Sequence, residues 1–123
     1  MTQPFADALT WMPKSRALGA TLTRAHDIAR AQGHPSVLLE HLLQSLIEDP
    51  DASSVLLTCH VDLFKLNESV SQHLAAQPVA GSSQPEASPG LLLILEYAAA
   101  AARQSKRNEV SGSIVLAAMA GEG

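Results

Sequence analysis

The chain repeats its own apolar pattern after 73 residues. When Ala29 is placed over Ala102, apolar residues coincide through two predicted helices without a gap. The coinciding pairs are Leu18 and Leu91, Leu22 and Leu95, Ala25 and Ala98, Val37 and Val110, Leu42 and Val115, Leu43 and Leu116, and Leu46 and Met119. Two copies of one supersecondary unit, each burying a face that the other needs, predict a helical bundle with pseudo-twofold symmetry.

The apolar spacing within each copy predicts a long helix, a polar loop and a shorter helix, so the expected fold class is all-α. The long helix covers 17–33 in the first copy, where Gly33 is suited to a C-terminal cap, and 90–105 in the second. Small polar residues that favour helix N-caps precede five of the predicted helices, including the one at 90–105: Ser36, Asp51, Asp62, Ser88 and Ser111.

The predicted organisation is one domain made of an N-terminal arm at 1–16, a first repeat at 17–76, a linker rich in Gln, Pro, Gly and Ser at 77–89, and a second repeat at 90–123. The first repeat extends to about Leu74, so we expect the second to be incomplete. The apolar face of its last helix, with Val115 and Met119, then needs cover from the arm or from a second copy of the chain. We favour self-association, because the arm precedes the first repeat.

Composition limits the kinds of partner. Hydrophobic residues make up 46% and aromatic residues 3% of the 123 residues, which favours a core of aliphatic side chains packed between helices. The formal net charge is −4 and the cations are scattered, which argues against nucleic acid. No secretory signal and no apolar run of membrane-spanning length is visible, so we expect a cytoplasmic protein that does not enter a membrane. The single cysteine, Cys59, is predicted to be a small buried apolar residue.

The polar residues form no pattern typical of a catalytic or metal-binding site. Glu40 and His41 are neighbours and point about 100° apart on a helix, so we interpret Glu40 as a cap or bridge and His41 as a half-buried packing residue. His34 is interpreted as a loop-closing residue, and adjacent Cys59 and His60 do not orient each other for catalysis. The sequence has no G-x-x-x-x-G-K-[ST] phosphate loop. We therefore expect no enzymatic activity, no cofactor and no bound metal.

Three stretches resemble one family. The run HPSVLLEHLLQSL at 34–46 resembles the GH…(V/T)-x-E-H-L-L-x-x-L segment of the N-terminal domains of Clp unfoldases. The stretches DPDA at 49–52 and LTCHVD at 57–62 resemble the DP-x-A…L-x-x-C-G-V-D region of the same domains. The run SKRNEVSG at 105–112 resembles the S-G-R-x-E-V-T-G loop of the ClpA branch, and the similarity extends over about 15–120.

The resemblance implies a double Clp N-type helical repeat that acts as a docking platform. In that family the domain is tethered to an AAA+ ring, receives substrate polypeptides or adaptor proteins, and is not itself catalytic. The expected function is therefore non-catalytic protein docking within a Clp ATPase or protease system. The alternative is a stand-alone structural or regulatory protein that associates with itself.

The resemblance also indicates docking positions. Where ClpA-type domains present an acidic residue and arginines to an adaptor, this chain has Pro35, Leu93 and Tyr97, while Ser88 retains the hydroxyl of a family threonine. Ion-paired docking of a ClpS-type adaptor is therefore not expected, and a more apolar partner is. Leu93 should also be partly exposed, since it lies about 100° from its neighbours on the helix. Two further docking candidates, Lys106 and Arg107, lie at a predicted loop tip.

Overall fold

The computed structural model describes residues 5, 9–77, 79 and 85–122. Within these residues the chain forms six helices and two strands of two residues each, which confirms the predicted helical fold class. The elements in chain order are α1 (Arg16–Ala31), β1 (Ser36–Val37), α2 (Leu39–Leu46), α3 (Pro50–Thr58), α4 (Leu63–Ala75), β2 (Glu86–Ala87), α5 (Pro89–Gln104) and α6 (Gly112–Glu122).

The two long helices begin with the same cap. The hydroxyl of Ser15 accepts a hydrogen bond from the Leu18 amide at 3.1 Å, and that of Ser88 accepts one from the Leu91 amide at 3.2 Å. Each bond satisfies an amide that has no partner within its helix. Since Ser15 and Ser88 are 73 residues apart, the internal repeat extends to the helix starts.

The helices also end alike. Gly33 and Lys106 follow α1 and α5 at equivalent positions, and both have a positive φ, of 72° and 59°. In the first repeat the residue that follows Gly33 donates its amide to the Ala29 carbonyl at 3.0 Å, and in the second Arg107 donates to the Ala102 carbonyl at 2.8 Å. Both ends have the left-handed residue that commonly terminates a helix.

Two short parallel ribbons join the repeats reciprocally. Strand β1 pairs with β2, so that the loop after α1 lies beside the start of α5, and the Ser88 amide donates to the Val37 carbonyl at 3.1 Å. The equivalent contact joins the start of α1 to the loop after α5, where the Ser15 amide donates to the Val110 carbonyl at 2.9 Å. Each long helix is thus anchored at its start by the loop of the other repeat.

A proline explains why the second of these ribbons has fewer paired residues than the first. Pro13 stands where the β1–β2 ribbon has Glu86, whose amide donates to the Pro35 carbonyl at 3.2 Å. Proline has no amide hydrogen, so this bond has no equivalent beside Pro13. The contact at Lys14 and Val110 is therefore a single bridge.

The core lies between the repeats and includes the N-terminal segment. Phe5, Leu9 and Met12 are buried in the same cluster as the apolar faces of α1 and α5, whereas Trp11 is 47% exposed. Among the described residues before α1, these three side chains thus pack on the body, while the arm at 1–16 as a separate unit stays a prediction. On α6, Val115 is completely buried and its neighbours Ile114, Ala118 and Met119 are partly buried. Whether copies of the chain associate through the remaining surface stays a prediction.

A buried carboxylate connects three helices. Asp49 is completely buried and accepts a hydrogen bond from the Thr21 hydroxyl of α1 at 2.6 Å. Its other oxygen accepts from the Asp51 and Ala52 amides at 2.9 and 3.0 Å and so caps α3. Gly112 packs so closely on this carboxylate that a Cβ atom there would overlap it. Asp49, and not Asp51 as predicted, is the N-cap of α3, because Pro50 occupies the first helical position.

Candidate docking surface

The outer face of α5 presents two large side chains to solvent. Leu93 is 42% exposed and Tyr97 is 44% exposed, and they lie one turn apart on the same face. Leu91 and Leu95 of the same helix are completely buried, so the partial exposure predicted for Leu93 is confirmed. This face offers one aliphatic and one aromatic side chain for contact with a partner.

A groove between α5 and α6, here called the α5–α6 groove, continues from Tyr97. Its lining residues are Tyr97, Ala101, Ser105, Arg107, Ser113, Ile114, Ala117 and Ala118. The middle of the groove is formed largely by alanine methyl groups, and its end beside the loop after α5 is polar. Small side chains on both helices leave room for another backbone to approach closely.

Cations lie at the C-terminal end of α5 and in the loop after it, and one of them, Arg107, lines the polar end of the groove. Arg103, Lys106 and Arg107 account for three of the eight Lys and Arg residues of the chain, and all three are exposed. Among the described residues, none of the three forms a salt bridge. Positive charge at the C-terminal end of α5 is favoured by its dipole.

The other two predicted docking residues lie at the β1–β2 ribbon. The Ser88 hydroxyl accepts the capping bond of α5, so one of its acceptor sites is already used. Pro35 is exposed, and its carbonyl accepts from the Glu86 amide. Together with His34 and Gln77, Pro35 lines a small pocket separate from the α5–α6 groove. The structure thus brings Tyr97 and Arg107 together in one groove and places Pro35 in another.

Two histidines form a buried pair beside this small pocket. The Leu38 amide donates to Nδ1 of His41 at 2.8 Å, so the proton of that ring is on Nε2, which lies 2.8 Å from Nδ1 of His34. Burial, with a smaller contribution from the neighbouring His34, lowers the pKa of His41 to about 4, against an opposing effect of Glu40. Both ring nitrogens of His41 are occupied by these bonds.

The structure shows the surroundings of three residues that were interpreted from the sequence, namely His41, Glu40 and Cys59. His41 was expected to be half-buried and is completely buried, because its ring caps the start of α2 in place of Ser36, which lies in β1. Glu40 bridges two helices, with Oε2 at 3.2 Å from Nε2 of His73. Cys59 is exposed, so its assignment to the core was wrong: it follows the last residue of α3 as the C-cap and faces solvent.

The alanines of the groove were not predicted as docking residues, although the helical spacing along α5 is visible in the sequence. Tyr97, Ala101 and Ser105 recur every fourth residue, which places them on one face of a helix. Within the described part of the chain, no group of three or more His, Cys, Asp and Glu residues is arranged to hold a metal ion. In the same part of the chain, no helix combines the length and hydropathy needed to cross a membrane.

Comparison with known sequences identifies the family. Residues 15–123 match the sequence profile of the Clp repeat (R) N-terminal domain, and the chain belongs to that family. Among curated proteins it is 33% identical over 113 residues to the ClpA homolog protein of Fuscovulum blasticum. That match covers 88% of this chain and 14% of the relative, so the chain spans about one seventh of the relative's length.

Solved structures share the fold. The N-domain of ClpV from Vibrio cholerae is 21% identical, with a TM-score of 0.79 and coverage of 96% of this chain and 74% of that chain. A complex of a ClpV N-domain with a VipB peptide is 20% identical, with a TM-score of 0.77 and coverage of 96% and 75%. At these identities the comparison establishes the double helical repeat alone.

Proposed function

We propose that this chain is a non-catalytic module that docks polypeptides, either substrates or adaptor proteins, for a Clp ATPase or protease system in the cytoplasm. The observation that supports the proposal most directly is the exposed apolar face of α5, with Leu93 and Tyr97, beside the α5–α6 groove. Exposed aromatic and aliphatic side chains next to a concave surface are characteristic of protein-binding sites.

The comparisons support the same class of function. A ClpV N-domain, which has this fold, has been solved with a VipB peptide. The curated relative that is 33% identical is a ClpA homolog. In this chain the docking contacts would be made by Leu93 and Tyr97, with Lys106 and Arg107 at the rim and with Pro35 and Ser88 near the ribbon.

Selection from a displayed peptide library on the immobilised protein tests the proposal. Enriched peptides are synthesised, and their dissociation constants are measured by fluorescence anisotropy. We expect Leu93→Asp or Tyr97→Asp to weaken binding at least about tenfold, since each places a charge in an apolar contact worth roughly 1.4 kcal/mol or more.

Phe64→Asp is the matched control. Phe64 is 76% exposed on α4, so the same change of apolar to acidic residue should leave peptide affinity unaltered. The proposal fails if no peptide is enriched, or if the affinities respond equally to all three variants. Sedimentation of the unliganded protein addresses the self-association alternative: a dimer that Leu93→Asp dissociates and that excludes peptide would assign the α5 face to a second copy.

A further inference from the structure

One face of α5, here called the α5 stripe, is turned to solvent. Its residues follow one another at intervals of three or four, which places them in line along the helix: Pro89, Leu93, Glu96, Ala100 and Arg103. The counterparts on α1, 73 residues earlier, are Arg16, Ala20, Thr23, Asp27 and Arg30. All five counterparts are exposed, although the first repeat also contains α2, α3 and α4. The exposure of the α5 stripe is therefore a property of the repeat itself.

The two repeats have different side chains at the start of this face. The first repeat has Arg16 and Ala20, which form a small and charged surface. The second has Pro89 and Leu93 at the same positions, and Leu93 is 42% exposed. Apolar area of this kind gains free energy when a partner removes it from water. The difference between the repeats therefore indicates that the α5 stripe makes a contact that the face of α1 does not make.

Two carboxylates lie on either side of this apolar area along the chain. Glu86 precedes it in β2, and Glu96 follows Leu93 after three residues, so the side chains of Leu93 and Glu96 are neighbours on the helix. Both carboxylates are exposed, and neither forms a salt bridge with a described residue. The corresponding positions of the first repeat have the uncharged residues Pro13 and Thr23. Negative charge beside this face is thus specific to the second repeat.

Positive charge on the α5 stripe is confined to its far end. Strands β1 and β2 and the residues of α5 before Arg103 include no lysine or arginine. Arg103 lies seven residues beyond Glu96, about 10 Å along the helix axis, which is too far for an ion pair. A cation of a partner is therefore attracted beside Leu93 and repelled at the end of the helix.

We propose that the α5 stripe selects polypeptide segments that carry a lysine or arginine beside an apolar residue. The apolar side chain packs on Leu93, and the cation pairs with Glu96. The inference rests on the proposed docking function and specifies its partner. Glu96 is the residue that determines specificity, because the contact with Leu93 accepts an apolar residue whatever the charge of its neighbours.

Three synthetic peptides test the charge preference. Each is short, labelled with fluorescein, and has the same leucine and phenylalanine at its centre. These two residues are flanked by lysines in the first peptide, by glutamines in the second and by glutamates in the third. At low ionic strength we expect the lysine peptide to bind at least about tenfold more tightly than the glutamate peptide, with the glutamine peptide between them. Added salt should reduce the difference, because it screens exposed charges.

Variants of the protein locate the preference. Glu96→Lys should reverse the order of affinities, so that the glutamate peptide binds more tightly than the lysine peptide. Glu68→Lys is the matched control, because Glu68 is exposed on α4 and the substitution changes the net charge of the protein by the same amount. This control should retain the original order. Leu93→Ala, which introduces the residue that the first repeat has, should weaken the binding of all three peptides similarly, since it removes apolar area without changing charge.

The outcomes separate this inference from the proposed function. If the peptides bind with affinities that do not depend on their charge, or if Glu96→Lys and Glu68→Lys change the affinities equally, the inference is wrong and the docking function stands. The same conclusion follows if library-selected peptides bind through Leu93 but have no lysine or arginine beside their apolar residues. If neither the three peptides nor any library peptide binds, both the inference and the proposed function are wrong.

Discussion

Lys106 occupies the left-handed backbone position that Gly33 occupies in the other repeat, with φ of 59° and 72° respectively. A left-handed conformation places the Cβ atom of a lysine close to its own backbone, and glycine avoids this contact. The same helix ending is therefore built from a relaxed residue in the first repeat and a strained residue in the second.

Lys106→Gly should consequently stabilise the protein. We expect the free energy of unfolding to rise by about 0.5–1 kcal/mol, after the greater entropy of glycine in the unfolded chain is subtracted. Chemical denaturation measures the change. Lys106→Ala is the control, because it removes the same charge but keeps the Cβ atom; equal stabilities of the two variants would contradict the explanation.

Two further glycines should respond in opposite directions to alanine. Gly19 lies within α1 with open space around the position of an added Cβ atom, so Gly19→Ala should stabilise the helix by about 0.5–1 kcal/mol. Gly112→Ala should destabilise the protein by about 1–3 kcal/mol, because the added methyl group would overlap the buried Asp49 carboxylate. Thermal and urea denaturation of both variants check the signs. Stabilisation by Gly112→Ala would show that Asp49 does not hold the described position.

Stability should depend on pH through His41. The pKa of this residue in the native protein is about 4, against 6.5 in the unfolded chain. Between these values the unfolded state binds a proton that the native state does not. The free energy of unfolding should therefore decrease as the pH falls from about 7 to about 4, by roughly 3 kcal/mol at most.

The pH dependence has a specific control. His41→Gln removes the titrating group and should flatten the slope of unfolding free energy against pH, even though the variant is less stable throughout. His60→Asn should leave the slope unchanged, because His60 is exposed and asparagine tolerates its positive φ. A slope that survives in His41→Gln would show that His41 does not cause the pH dependence.

The exposed thiol of Cys59 gives a direct chemical test. Cys59 of the native protein should react with one equivalent of Ellman's reagent, because the thiol is accessible. The rate should be within about tenfold of the rate for the urea-unfolded protein. Cys59→Ser should change the free energy of unfolding by less than about 0.5 kcal/mol, as expected for a surface position. A thiol that reacts only after unfolding would restore the core assignment made from the sequence.

Much of the fold was predictable because the two repeats share long apolar patterns. The 73-residue offset between Ala29 and Ala102 extends in the structure to the equivalent helix caps of Ser15 and Ser88. Partial exposure of Leu93 followed from helical geometry alone. Features that span many residues with a regular period are visible in a sequence because each residue adds to the signal.

Short or three-dimensional features were not predictable in this way. The two-residue strands are too short to show a periodicity. The start of α2 is capped by the side chain of His41, although Ser36 lies at the helix start expected from the sequence. Cysteine is generally buried, whereas Cys59 is exposed. Its exposure is set by the position at which α3 ends. The α5–α6 groove is formed by two helices, so neither sequence segment alone reveals it.

The reciprocal ribbons impose an order on synthesis. Val37 can pair with the residues before α5 as soon as that helix has emerged, but Lys14 has no strand partner until Val110 has been translated. The residues just before α1 are synthesised before the helices of the described fold and yet reach their final place late, since contacts between distant positions form late. A chain released before Val110 would retain every residue of α1 and yet lack the strand contact that anchors its first turn.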